Sequence, residues 1–173
     1  MLSLKGEHIY LRALEPQDLD FLYELENNTN VWEISGTITP YSRHVLRQYL
    51  DNAHRDIYDV KQLRLCICKK DTVIGLIDLF DFDPHNRRAG IGIVILDEKD
   101  RNHGIGTEAL ALICNYGLTT LGLRQLYANV MEDNVSSLHL FKKMGFVEVG
   151  TKKDWIRTDE GFKNEVLLQK IKP

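Results

Sequence analysis

The sequence predicts a single mixed α/β domain over residues 1–173, with a mostly antiparallel sheet and helices on its flanks. Three observations predict it. Helical stripes occupy the first third of the chain. A period of two then takes over and yields consecutive strands. The last third alternates strand, helix, strand, helix, strand. No repeat, low-complexity tract or proline-rich linker divides the chain.

Each element has its own signal. Residues 7–13 alternate as a strand. Glu15, Pro16 and Asp18 read as a helix start, with proline in the first turn and acids near the positive end. Leu19, Phe21, Leu22 and Leu25 form the stripe that follows, and residues 27–30 break it. Residues 42–56 predict a second helix, with Val45, Leu46, Tyr49 and Leu50 on one side. Residues 63–69 and 73–80 are strands joined by a turn at Asp71 and Thr72. Residues 87–96 are a third strand, in which Gly90 and Gly92 signal a bulge or close backbone approach. Then come a helix at 104–116, a strand at 125–131 and a helix at 136–144 stopped by Gly145. Residues 146–152 and 163–170 are the last two strands, turning at 159–161.

Composition narrows the function. The net charge of −3 gives no general attraction to nucleic acid or to an anionic membrane. No apolar run approaches the roughly 18 residues of a membrane span, and residues 1–5 lack a signal-peptide pattern. Three cysteines, an odd number, argue against a disulfide framework. Cys66 and Cys68 share one strand face and read as small buried hydrophobes. No ligand set has zinc spacing, so no metal is expected. A reducing cytoplasm is the expected compartment.

Arg101-Asn102-His103-Gly104-Ile105-Gly106 leads from the Ile-rich strand into a helix. The first amides of a helix have no internal partner, and with the dipole they favour a phosphate or pyrophosphate. Thr107 adds a hydroxyl and Arg101 a positive charge. The same glycines also satisfy the G-x-G-x-x-G/A dinucleotide pattern up to Ala109. That pattern wants a tight strand-to-helix turn and an acid about 20 residues on. Here residues 97–103 intervene, and the next acid, Glu132, comes late.

A second motif runs from Asn134 through Ser137, Leu140 and Phe141 to Gly145 and Phe146. An asparagine at a strand end can start the next helix and still bond a ligand's amides. Together the two segments resemble the GNAT N-acetyltransferase superfamily. Arg101 to Gly106 matches its acetyl-CoA loop, Q/R-x-x-G-x-G/A, and Asn134 to Phe146 matches its later signature. Ile9 to Leu19, with Arg12 and Asp18, looks like its opening. Within the superfamily, Gly75 to Leu79 and Asn86 to Ala89 look most like spermidine and diamine acetyltransferases, then ribosomal-protein N-terminal acetyltransferases.

The resemblance implies a splayed central strand pair. Ile93, Val94 and Ile95 would line the pantetheine arm of acetyl-CoA, with an oxyanion-binding amide near Val94. It implies cofactor contacts from Arg101, Asn102, His103, Gly104, Ile105, Gly106, Thr107, Asn134, Ser137 and Phe141. Two positions depart from the family. Many relatives carry a tyrosine general acid where Phe141 stands, and often glutamate where Gly90 stands. Water, Ser137 or His139 could replace the acid. Asp78, Asp81 and Asp83 are the remaining acids on and after the preceding strand, and the order of choice for a base is Asp78, then Asp81, then Glu33 in the early loop. Trp32 and Tyr41 fall on the family's substrate side. The expected acceptor is a polyamine or diamine. The alternatives are a peptide N-terminus, a CoA-binding module without catalysis, and nicotinamide binding. Dimers are common in the family, so the resemblance also implies a homodimer or larger homo-oligomer.

Overall fold

The computed structural model describes residues 4–101 and 103–173. Seven strands form one sheet in the order β1-β2-β3-β4-β5-β7-β6. They are β1 (Tyr10–Ala13), β2 (Leu63–Lys69), β3 (Thr72–Asp83), β4 (Arg88–Ile95), β5 (Gln125–Met131), β6 (Val147–Thr158) and β7 (Gly161–Ile171). The helices are α1 (Leu19–Glu26), α2 (Thr29–Ser35), α3 (Arg43–Asp51), α4 (Ile57–Val60), α5 (Ile105–Asn115) and α6 (Val135–Lys143). Among the described residues no helix is long and apolar enough to cross a membrane.

Neighbouring strands are antiparallel except β4 and β5. That parallel pair is short, matching Arg88–Gly90 with Gln125–Tyr127. Beyond it β4 stays on β3 as far as Ile95, while β5 stays on β7 as far as Met131. The sheet therefore opens between its two central strands.

Each face has its own core. Ile77, Leu79 and Ile91 point to one side and pack with Ala109, Leu110 and Ile113 of α5 and Phe141 of α6. Cys66, Cys68 and Leu76 point to the other and pack with Leu22 and Leu25 of α1, Val31 of α2 and Leu46 of α3. Burial pushes the Cys66 thiol up to about 12, as suits an unreactive core residue.

The differences from the sequence expectations have local causes. β1 starts at Tyr10 rather than residue 7, because the His8 and Ile9 amides both donate to Glu108 Oε1, at 2.8 and 3.2 Å. The asparagine cluster ends α1 and also starts α2, since Asn28 accepts from the Asn30 amide at 3.0 Å. Glu33 and Trp32 thus sit on a helix, not in a loop. The second predicted helix stops at Asp51, and α4 follows separately. β6 extends to Thr158, and its register shifts twice, which erases the alternation that marks a strand.

Candidate active site

A cavity of about 320 Å³ lies on the α1–α3 side of the sheet, where β2, β3 and β4 form its floor. Asp78 and Arg64 are opposed across β2 and β3, Leu76 and Val94 across β3 and β4, and all four line it. Leu22, Leu25 and Glu26 of α1 and Tyr49 of α3 close the walls. The space is an apolar chamber with a polar corner.

The corner is one connected cluster. Arg64 Nη1 donates to Glu26 Oε1 at 3.0 Å, while Nη2 stays 4.0 Å from Asp78 Oδ2. Gln62 Nε2 approaches the same oxygen at 3.5 Å. Burial pushes the Asp78 carboxyl above the usual carboxylate range, against the pull of Arg64 and Gln62, and Glu26 adds to the rise. Burial likewise raises the Tyr49 phenol.

Glycines decide what β4 exposes. Gly92 is paired with Asp78, and a Cβ there would stand 3.6 Å from Asp78 Oδ1. With no side chain at Gly92, that oxygen is uncovered on the β4 side. At Gly90 the opposite holds. A Cβ would meet the Phe80 ring at 2.3 Å, and that ring stands edge-on to Tyr127 at 5.9 Å. Phe80 fills the space that a glutamate at Gly90 would need.

Gly75 is less forgiving, because a Cβ would come within 2.4 Å of a backbone atom, the Val94 carbonyl oxygen. Backbone cannot rotate away as a side chain can. Gly75→Ala is expected to destabilise the fold by about 1–3 kcal/mol and to displace β4 at Val94. Thermal unfolding checks this, and an unchanged melting temperature would count against so close a contact.

The opening between β4 and β5 is the second half of the site. Leu96 N–H donates to Ile74 O at 3.0 Å, and the register runs unbroken from there through Gly75–Ile95, Leu76–Val94 and Ile77–Ile93. Ladder bonds alternate along an antiparallel pair. The Val94 amide therefore turns toward β3, as that of Leu96 does. The amides of Ile93 and Ile95 turn to the edge that β5 has left. This corrects the expectation that Val94 presents the oxyanion donor: its side chain lines the cavity, but its N–H belongs to the ladder.

The helix that closes this opening is α5. Gly104 is its N-cap at φ 77°, a left-handed conformation that glycine adopts without strain. Among the described residues nothing lies within 4 Å of a Cβ built there. The first intrahelical bond runs from the Glu108 amide to the Gly104 carbonyl, so the Ile105, Gly106 and Thr107 amides are the free end of the helix. A Cβ on Gly106 would sit 3.2 Å from Leu140 and 3.9 Å from Ile93, so the turn, α6 and β4 converge there.

The other expected site residues fall in different places. Arg101 spends its donors on strand carbonyls, with Nε and Nη2 on Ile95 O at 3.1 and 3.0 Å, and so clamps the loop to β4. Asn102 lies outside the described residues. His103 is exposed, whereas Ile105 is buried in the core. Asn134 caps α6 by accepting from the Ser137 amide at 3.2 Å, which leaves its side-chain NH₂ for a ligand. Phe141 is buried and stacks edge-on with Phe146 at 5.1 Å, so it packs the core beneath the opening. Asp81 is exposed at a bulge that turns it out of the strand, and does not join Asp78 in the cavity. Tyr41 lines the cavity; Glu33 is held by Lys163, which also pairs with Asp133. Sequence reasoning missed Arg64, Glu26 and Tyr49. Only the strand register, which sets Arg64 opposite Asp78, could have signalled the first.

The family model described as "Acetyltransferase (GNAT) domain" matches residues 8–147. Spermidine N(1)-acetyltransferase of Escherichia coli strain K12 is 32% identical over 138 residues, covering 80% of this chain and 72% of that protein. A spermidine N-acetyltransferase structure from Vibrio cholerae, in complex with CoA and spermine, superposes with a TM-score of 0.86 at 24% identity and covers 96% of both chains. A dodecameric structure of spermidine N-acetyltransferase from Vibrio cholerae superposes with a TM-score of 0.80 at 26% identity, covering 96% of this chain and 95% of that one.

Proposed function

Because this chain belongs to the GNAT acetyltransferase family, an acetyl-CoA-dependent class of enzyme, we propose that it acetylates a primary amine of a polyamine such as spermidine. The observation that carries the reading is the position of Asp78. It sits in a cleft that is open to solvent and lies against β4, whose other edge opens toward the free end of α5. Residues 1–173 would work as one domain.

The opening fits acetyl-CoA. Gly104 leaves room at the helix end, and the amides of Ile105, Gly106 and Thr107 would hold the pyrophosphate. The Ile93 and Ile95 amides and the Asn134 side chain would bond the pantetheine arm. Acetyl-CoA supplies the activated acetyl group when bound. The protein's task is then the amine. An alkylamine with pKa near 10.4 must lose a proton at about 3.4 × 1.36 ≈ 4.6 kcal/mol to react at pH 7. Asp78, lifted by burial, would accept that proton. Developing negative charge on the acetyl oxygen would meet an outward-turned amide of β4. Phe141 cannot donate a proton, and an alkyl thiol is acidic enough to depart as thiolate.

A second reading, a peptide N-terminus, draws on Arg64. Its guanidinium shares the cavity with Glu26 and Asp78 and lowers the attraction for a polycation. Two measurements decide. The melting temperature should rise with acetyl-CoA but not with NAD. Thiol release should be faster with spermidine than with putrescine or N-terminal peptides. Stabilisation without turnover on any amine would leave a CoA-binding module, and a faster peptide would support the second reading. A cytoplasmic homo-oligomer is the expected state, given the dodecameric relative and the buried thiols.

A further inference from the structure

Arg64 and Asp78 are directly opposed in the β2–β3 register, on one face. Opposite charges so placed ordinarily close into a hydrogen-bonded pair. Here they do not. The nearest approach is 4.0 Å, while Arg64 reaches Glu26, the last residue of α1, at 3.0 Å. The three side chains are 16–23% exposed, so solvent screens these charges only in part. We infer that Glu26 is a positioning residue: it draws the Arg64 guanidinium off Asp78 and leaves the carboxylate free to take a proton.

The inference rests on the reading of Asp78 as proton acceptor. A guanidinium in full contact would make Asp78 a poor base, because an adjacent opposite charge favours the ionised form. The groups around Asp78 are few. Arg64 and Gln62 approach from the β2 side, Glu26 stands on α1, Tyr49 on α3, and Gly92 on β4 brings no charge. Tyr49 holds the guanidinium from another side, its ring centroid 5.7 Å from the Arg64 carbon. Arg64 Nε is buried and makes no hydrogen bond among the described residues. The carboxylate that holds the guanidinium at 3.0 Å is Glu26, and Asp78 stands 4.0 Å away to receive it if Glu26 releases it.

The test is a carbon-13 titration of the full-length protein labelled at aspartate carboxyls. The Asp78 signal is assigned by its loss in Asp78→Asn. In Glu26→Gln the Asp78 midpoint should fall by about one pH unit or more as Arg64 closes. In an Arg64→Met background the same substitution should move it less than half as far. Turnover should fall about three- to tenfold in Glu26→Gln, following the weaker base. An unmoved midpoint, or an equal shift in both backgrounds, overturns the inference. If Glu26→Gln does not fold, Glu26→Asp, whose shorter side chain also withdraws from Arg64, gives the same reading. Full turnover in Asp78→Asn, with the Glu26→Gln shift intact, would instead remove the proton-acceptor role.

Discussion

Asp78→Asn is expected to lower kcat/KM for a polyamine by about 100- to 10,000-fold while acetyl-CoA binds as before. The substitution keeps shape and removes the proton-accepting charge. Asp78 lies on the α1–α3 face of β3, away from the free end of α5, so the proposed cofactor contacts are untouched. Arg64 keeps its bond to Glu26 at 3.0 Å, so the corner does not collapse around a stranded charge. The phenotype should be a loss of rate that high pH partly restores, because an amine already neutral in solution needs no base. Initial rates across pH, beside a CoA binding isotherm, separate this from misfolding. A variant that binds CoA and turns over normally would remove Asp78 from the mechanism.

Asp18→Asn should cost about 3 kcal/mol of stability, toward the lower end for breaking a buried pair because Arg12 is 30% exposed. Asp18 itself is 5% exposed. It accepts from Arg12 through both oxygens, at 2.8 and 2.9 Å, and from the Glu15 amide at 2.7 Å. One carboxylate therefore joins β1 to the turn that launches α1. Asparagine can satisfy the amide but leaves a guanidinium without its counter-charge. The melting temperature should fall by roughly 6–12 °C, taking about 2–4 °C per kcal/mol for a domain of this size. Burial alone would raise the Asp18 carboxyl, but Arg12 and the Glu15 amide outweigh it and hold it below the usual range. A depressed folded pKa gives stability that is present above the unfolded value near 3.9 and is lost as pH falls through the folded value. The variant should lose that acid dependence. Equal acid unfolding of both proteins would contradict the assignment.

Asp18 also shows what was legible in the sequence. The opening that resembles the family, with Arg12 six residues before Asp18, reads as a motif of unknown purpose. In the fold it is a bidentate ion pair plus a capping bond. The elements were legible where one force dominates. β5 alternates over most of its length, β2 is an apolar run buried on both faces, and α5 follows a glycine turn. They were not legible where tertiary contact overrides pattern. Glu108 bends the chain before β1, and β6 shifts register twice.

The candidate site divides the same way. The helix-end turn and the asparagine cap are local in sequence, so Gly104, Gly106 and Asn134 stand where expected. Asp78 came from elimination, and Phe80 supplies the physical reason by filling the space beside Gly90. The direction of the β4 amides depends on a ladder that no single strand reveals. That is why Val94 was expected where the structure offers Ile93 and Ile95. Glu26 and Arg64 meet across 38 residues of sequence, a contact that only packing produces.

The most direct test of acetyl transfer to a polyamine is mass-spectrometric identification of the product from acetyl-CoA and spermidine, with free CoA counted alongside. The proposed function predicts singly acetylated spermidine in step with released CoA, and loss of both in Asp78→Asn. Bound acetyl-CoA with no acetylated amine, or acetylation confined to peptide N-termini, would contradict it.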